Sequence, residues 1–257
     1  MKKILILFLP VFLCTAFFFL WLAPKYTVPI LMYHSIDYGE GSFFVKPENF
    51  AKQMEYIKKN GYQVITLDEL VLSLRNKTIL KKNKVAITFD DGYRNNFQYA
   101  YPVLKKFGYP ATIFLVTDFT GVKPGFLNWD EVVEMSKNKI AFGAHTKSHF
   151  YFGGQIDAKA AQEEIVGPKK LIEEKTGRPV KFFCYPSGAF TEPVKQLVAQ
   201  AGYQGACTTN RGFVKFNRDV YELKRIKVTN SDTVKPFSFP AKLSGYYNIF
   251  KRNRNPY

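Results

Sequence analysis

Histidine is scarce in this 257-residue chain, which has three, and cysteine is equally scarce at three. Acidic residues are outnumbered, 21 against 37 lysines and arginines, leaving a net charge of +16. Internal repeats and low-complexity tracts are missing, so the length is read as one folded domain of barrel size with a small appendage. Each shortage narrows the function. With so few histidines, two that stand four residues apart at a strand end are hard to dismiss as accident. A basic stripe can mean nucleic acid, but no aromatic-basic recognition motif accompanies this one, and no nucleic-acid partner is expected. Attraction to anionic lipid heads or to an acidic envelope polymer suits the charge better, with a merely solvated basic face as the plain alternative.

Charged residues are also missing between Ile4 and Ala23, a run of apolar and small residues. A helix of that length is about 30 Å long, enough to cross the hydrocarbon core. Lys2 and Lys3 place its short end in the cytoplasm and the rest outside. A cleaved signal peptide is the alternative, but it would end at small residues, and Phe17 to Leu22 is bulky. Cys14 follows Leu13 rather than a small residue, which argues against a lipoprotein site. Residues 1–25 are therefore expected to be a single-pass membrane anchor, and residues 26–257 an extracytoplasmic domain.

What is present centres on Val85-Ala86-Ile87-Thr88-Phe89-Asp90-Asp91-Gly92. The apolar and β-branched residues read as a short buried strand. Neighbouring aspartates on a strand point opposite ways, but at a strand end that breaks into a loop both can turn toward one cavity. One carboxylate can then bind a metal while the other takes a proton from water. Asp-Gly is also a common turn, and the pair alone does not decide between the two. His145-Thr146-Lys147-Ser148-His149 follows another apolar strand, Ile140-Ala141-Phe142. Histidines at i and i+4 of a helical turn share a face and can grip one ion. Asp91, His145 and His149 would make a two-His, one-carboxylate site with open positions. Zn²⁺ suits such a set in a hydrolase, though Fe(II) uses the same ligand types.

Thr88-Phe89-Asp90-Asp91-Gly92 and His145-Thr146-Lys147-Ser148-His149 resemble the first two signature motifs of the polysaccharide deacetylases, the NodB-homology or carbohydrate esterase family 4 domain. Their order and separation agree, and the resemblance extends over about residues 27 to 230. In the usual order of that family, a strand ending in a histidine near the C-terminus supplies the general acid. No histidine follows His149 here. Val28 to His34 reads as such a strand at the other end of the chain, as in the circularly permuted branch that includes the poly-β-1,6-N-acetylglucosamine deacetylases. Neighbours in a closed barrel are spatial, so moving one strand leaves them unchanged. The resemblance makes His34 the general acid.

It also implies a third motif, matched at Cys184-Tyr185-Pro186-Ser187-Gly188. The backbone N–H of Ser187 is the candidate oxyanion donor, a role that needs only main chain. Cys184 stands where the family has an arginine that steadies the catalytic aspartate, and Arg225 is a candidate substitute. The fourth motif has no clear match; Asp219 and Asp232 are weak candidates for tuning His34. Phe126 and Trp129 could stack on sugar rings or pack in the core. Cys184 and Cys207 read as small buried residues on neighbouring strands rather than a disulfide.

Between the motifs, short apolar strands alternate with helices such as Pro47 to Lys59 and Ala158 to Thr176. That alternation argues for a parallel sheet with helices outside. The expected fold is a distorted (β/α) barrel of the NodB-homology type behind one N-terminal transmembrane helix. The function this implies is a divalent-metal, most simply Zn²⁺, hydrolase that removes N-acetyl groups from an extracytoplasmic glycan, poly-N-acetylglucosamine being favoured. Asp90 would be the base. Peptidoglycan N-deacetylation, acetylxylan-type O-deacetylation and an inactive glycan-binding module are the alternatives.

Overall fold

The computed structural model describes residues 26–78, 80–154, 156–210 and 219–249, together with residues 13, 15–17 and 20. Most of the expected membrane anchor lies outside these residues. Among the described residues no helix is long and apolar enough to cross a membrane.

The first half of the chain runs β1 (Ile30–Tyr33), β2 (Ser35–Ile36), β3 (Phe44–Val45), α1 (Pro47–Lys59), β4 (Gln63–Val64), α2 (Leu67–Arg75) and β5 (Lys84–Phe89). It continues through α3 (Tyr101–Phe107), β6 (Ala111–Leu115), α4 (Trp129–Ser136), β7 (Ile140–Ala144), α5 (Ala158–Thr176) and β8 (Phe182–Cys184). The last part holds α6 (Glu192–Gln200), β9 (Gly205–Thr208), β10 (Leu223–Lys224), β11 (Ile226–Lys227), α7 (Ser231–Val234) and α8 (Ser238–Leu243). A single π-turn at Asn96–Ala100 leads into α3.

Every strand pairing in the main sheet is parallel, in the order β10-β9-β8-β7-β6-β5-β1-β11. β10 and β11 are separated by Arg225 alone, yet β10 pairs with Cys207 and Thr208 of β9 while β11 pairs with Leu31 and Met32 of β1. One short stretch, Leu223–Lys227, thus joins the two ends of the sheet and nearly closes it into a barrel. The first strand sits between β5 and the last, which is the neighbourhood a permuted order requires.

Side-chain alternation with period two builds two cores. Leu31, Tyr33, Ile87, Phe89, Ile113, Phe142 and Phe183 point outward, onto Phe50, Met54 and Ile57 of α1, Leu104 of α3, Met135 of α4 and Ile165 of α5. Ile30, Ala86, Phe114, Phe182, Cys184, Cys207 and Leu223 point inward. There they meet Leu67, Leu70 and Val71 of α2, so α2 plugs the end of the barrel where the strands begin. A capping box at Thr66 and Glu69 starts that helix. Full burial of Phe50, Met54 and Ile57 contributes roughly 1.5–3 kcal/mol each. Cys184 and Cys207 are opposed in register, buried and not bonded to each other.

Candidate active site

The inward face also builds the site. Ala86, Thr88 and Asp90 alternate along β5, so Asp90 continues the inner face past the strand end. Met32 and His34 do the same after β1, and Gly143 and His145 after β7. Parallel strands end together, and these side chains converge at one mouth. Asp91 would point away from it in extended backbone. Its φ of 70° and the 74° of Gly92 turn the chain, bringing Asp91 to the same cavity. At Gly92 a Cβ would lie 2.7 Å from the Leu115 Cδ2 atom, so glycine is favoured on both counts. The cavity, of about 660 Å³, is lined by His34, Asp90, Asp91, His145, His149 and Ser187, with Phe43, Tyr93, Tyr151 and Arg225 around them.

His145 and His149 do not lie on a helical turn, contrary to the sequence expectation. The segment after β7 is a loop in which Thr146 and His149 both have φ of 66°. The same two residues meet all the same, their rings 5.0 Å apart edge to face. Glu164 of α5 explains the loop shape. It accepts hydrogen bonds from the backbone N–H of Lys147 and of Ser148, both at 2.9 Å, and from the Ser148 hydroxyl at 2.7 Å. Sequence reading missed Glu164, because its partners lie 16 and 17 residues away with no local signal.

The arrangement fits a metal ion. Asp91 Oδ1 lies 3.4 Å from Nε2 of His145 and 3.5 Å from Nε2 of His149. Charge-assisted hydrogen bonds would be nearer 2.7–2.9 Å. Ligands at about 2.1 Å from one tetrahedral ion sit about 3.4 Å apart. His145 Nδ1 is 2.7 Å from the Cys184 carbonyl oxygen, which can only accept, so that nitrogen carries the proton. In the neutral ring Nε2 is then an acceptor facing a carboxylate, and two acceptors so placed need a cation between them. Asp91 Oδ1 is buried and has no hydrogen-bond partner.

A second trio, Asp90, His145 and Cys184, is also close enough to share an ion. It is a poorer set. Burial pushes the Cys184 thiol up, keeping it protonated, and both Asp90 oxygens are already engaged. Arg225, fully buried, donates from Nη1 to Asp90 Oδ1 at 2.6 Å and from Nη2 to Oδ2 at 2.7 Å. Nη2 also reaches Cys184 Sγ at 3.0 Å, and Nη1 the Thr88 hydroxyl at 3.2 Å. The guanidinium therefore takes the post that the missing motif arginine would hold, arriving from the closing strand instead. Burial favours the neutral acid at Asp90, Arg225 opposes it, and the net pKa is lowered.

His34 Nε2 lies 3.8 Å from Asp90 Oδ2, and the ring sits edge-on to Phe43 with centroids 4.7 Å apart. Burial lowers the His34 pKa, with Asp90 and Asp91 pulling the other way. Neither acid suggested for tuning it pairs with it. Asp219 pairs with Lys195 and Asp232 with Lys242, so the carboxylate that faces His34 is Asp90 itself. Ser187 is exposed at the cavity, with φ of 56°, in the tight turn Pro186–Gly188.

Of the two aromatics suggested for sugar stacking, Trp129 packs partly buried against the core, and Phe126 stacks on Tyr93 at 5.1 Å. The exposed rings at the mouth are Phe43 and Tyr151, 52% and 50% accessible. Tyr151, two residues past His149, carried a positional signal; Phe43 carried none.

Comparison with known proteins agrees with this geometry. A sequence model of the family described as polysaccharide deacetylase matches residues 77–206. The chain is 36% identical over 202 residues to YxkH of Bacillus subtilis, covering 79% of this chain and 71% of that one. It is 26% identical over 202 residues to a poly-β-1,6-N-acetyl-D-glucosamine N-deacetylase of Staphylococcus aureus, covering 74% and 69%. Among solved structures, the Streptococcus pyogenes deacetylase PplD in complex with acetate superposes with a TM-score of 0.74 at 27% identity, covering 79% of this chain and 93% of that one.

Proposed function

Because the chain belongs to the polysaccharide deacetylase family, we propose that this deacetylase is metal-dependent and removes N-acetyl groups from N-acetylglucosamine units of an extracytoplasmic glycan. A poly-N-acetylglucosamine substrate is favoured by the likeness to the staphylococcal N-deacetylase. The observation that carries the metal reading is the buried, unpartnered Asp91 Oδ1 between two imidazole nitrogens.

Asp91, His145 and His149 hold the ion in this reading, and Zn²⁺ is the simplest choice for a hydrolase. Such an ion, when bound, acidifies water and polarises a carbonyl. The protein does the rest. Asp90, fixed by Arg225, takes a proton from the attacking water. The Ser187 N–H stabilises the oxyanion that develops on the acetyl oxygen. His34 gives a proton to the departing amine, without which an amide nitrogen is a poor leaving group. At 3.8 Å from Asp90, His34 is placed to be reloaded by the proton that Asp90 removes. Phe43 and Tyr151 offer faces on which sugar rings stack. Residues 1–25 are proposed as the membrane anchor and residues 26–257 as the deacetylase domain outside the cytoplasm.

Acetate release from β-1,6-linked N-acetylglucosamine oligomers, peptidoglycan and acetylxylan tests the substrate. Fastest turnover on the first supports the proposal. Preference for acetylxylan would replace it with O-deacetylation, and binding without release on all three would make the protein a glycan-binding module.

A further inference from the structure

All strands of the barrel run one way, so the catalytic mouth lies at their ends and everything that leads into them lies at the opposite end. That opposite end is strongly basic. α1 finishes on Lys58 and Lys59, and α3 on Lys105 and Lys106, and all four are exposed. The Nζ atoms of Lys58 and Lys106 each lie 5.6 Å from the centre of the Phe107 ring, which they share. Phe107 stacks on Tyr109 at 5.5 Å. Lys139, just before β7, reaches the Gly108 carbonyl at 3.3 Å, and exposed Lys137 stands two residues earlier. Among the described residues none of these six lysines has an ion-pair partner.

Helix dipoles explain some of this, since lysines near helix C-termini are favourable. They do not explain paired lysines at the ends of two neighbouring helices, nor Lys139, which lies outside any helix. Like charges so gathered repel unless an anion faces them. A second observation points to what that anion is. Residues 1–25, with the apolar run Ile4 to Ala23, join the barrel at this same end, through Tyr26 and Thr27 ahead of β1. Tyr26, like Leu74 and Leu80, packs against the inner core that the plug helix closes; it lies edge-on to Tyr246, and Lys82 lies over both tyrosine rings. An aromatic-basic rim beside an apolar segment suits a bilayer surface.

We propose that the strand-start end of the barrel rests on an anionic lipid surface, held by the lysines around Phe107, with the catalytic mouth facing away. The inference rests on the fold and on the membrane anchor proposed for residues 1–25, and does not depend on the glycan or the metal. A five-residue strand at about 3.3 Å per residue sets the mouth roughly 17 Å above that surface.

Lysine footprinting tests it. The full-length protein, reconstituted in vesicles of phosphatidylcholine with phosphatidylglycerol or of phosphatidylcholine alone, is labelled with a water-soluble amine reagent and mapped by mass spectrometry. Labelling of Lys58, Lys105, Lys106 and Lys139 should fall severalfold on the anionic vesicles, while Lys147 and Lys159, on the mouth side, keep theirs. With Lys58→Gln, Lys105→Gln and Lys106→Gln combined, Lys139 should regain labelling, and turnover of a soluble acetyl ester should not change. Equal labelling at both ends, or protection on the mouth side, overturns the proposal. So does protection of the same lysines by soluble polyphosphate when anionic vesicles give none, which would assign the patch to an acidic polymer.

Discussion

Two buried carboxylate clusters in this barrel are built on opposite principles. Behind the mouth, Asp232 is closed on every side: its oxygens accept from the Thr229 N–H and hydroxyl, the Ser238 hydroxyl at 2.6 Å and the Lys242 ammonium at 2.5 Å. At the mouth, Asp91 keeps a buried oxygen with no hydrogen bond, facing two imidazoles at distances too long for strong ones. A carboxylate that is fully satisfied holds elements together, here α7 and α8. One left short of donors costs free energy that only a ligand can recover. The difference separates a structural acid from a functional one without any motif.

The comparison breaks most visibly at the mouth. His145→Ala should leave a folded protein that binds no divalent ion by elemental analysis and shows background turnover. Chelation of the wild type should do the same reversibly. An active protein free of metal would remove the distinction between the two clusters. Asp90→Asn and His34→Ala should keep the ion and lose about 10²–10⁴-fold in turnover on N-acetyl sugars. On an activated phenyl acetate, whose leaving group hardly needs a proton, His34→Ala should be spared and Asp90→Asn should not. Equal losses for His34→Ala on both substrates would end its acid role.

At the closed cluster the expected loss is in stability. Asp232→Asn takes the opposite charge away from the buried Lys242 ammonium and should cost about 3–5 kcal/mol in denaturant unfolding, with metal content unchanged. The sign of its pH dependence follows from direction alone. Burial raises the Asp232 pKa, but the Lys242 ammonium and the hydrogen bonds outweigh it, so the folded value is depressed. Its contribution is complete above the unfolded value of about 3.9 and is lost as pH falls through the lower folded value. Wild-type stability should therefore decline more steeply below about pH 4 than that of the variant. Arg225→Lys, which keeps a charge but not the two-pronged grip on Asp90, should lower kcat by roughly 10–100-fold while leaving the ion in place. The smallest effect belongs to Glu164→Gln, which loosens the His149 loop and should weaken metal affinity by about tenfold. A circular dichroism spectrum like the wild type's would separate that from misfolding.

The mouth was legible in the sequence where its chemistry is local. Asp90, Asp91, His145 and His149 stand directly after apolar strands, and alternation along those strands already implied an inward-facing set. Pairings across the chain left no such trace. Arg225 meets Asp90 over 135 residues, so only the absence of the motif arginine hinted that some substitute must exist. The helical geometry expected for His145 and His149 failed because spacing alone cannot distinguish a helical turn from a loop of positive φ tied down by Glu164. The strands and most helices fell where periodicity put them, α1 and α5 at the expected bounds. Near-closure of the barrel through two-residue strands lay below what periodicity can register.

The placement of Arg225 between β10 and β11 also has a meaning in time. A chain is made from its N-terminus, so both aspartates and all three histidines exist well before residue 225 emerges. Until the last strand zips the ring shut, the two-pronged guanidinium grip on Asp90 is missing, and its carboxylate is present but unaimed. Aiming of the base therefore waits on the strand pair that closes the barrel.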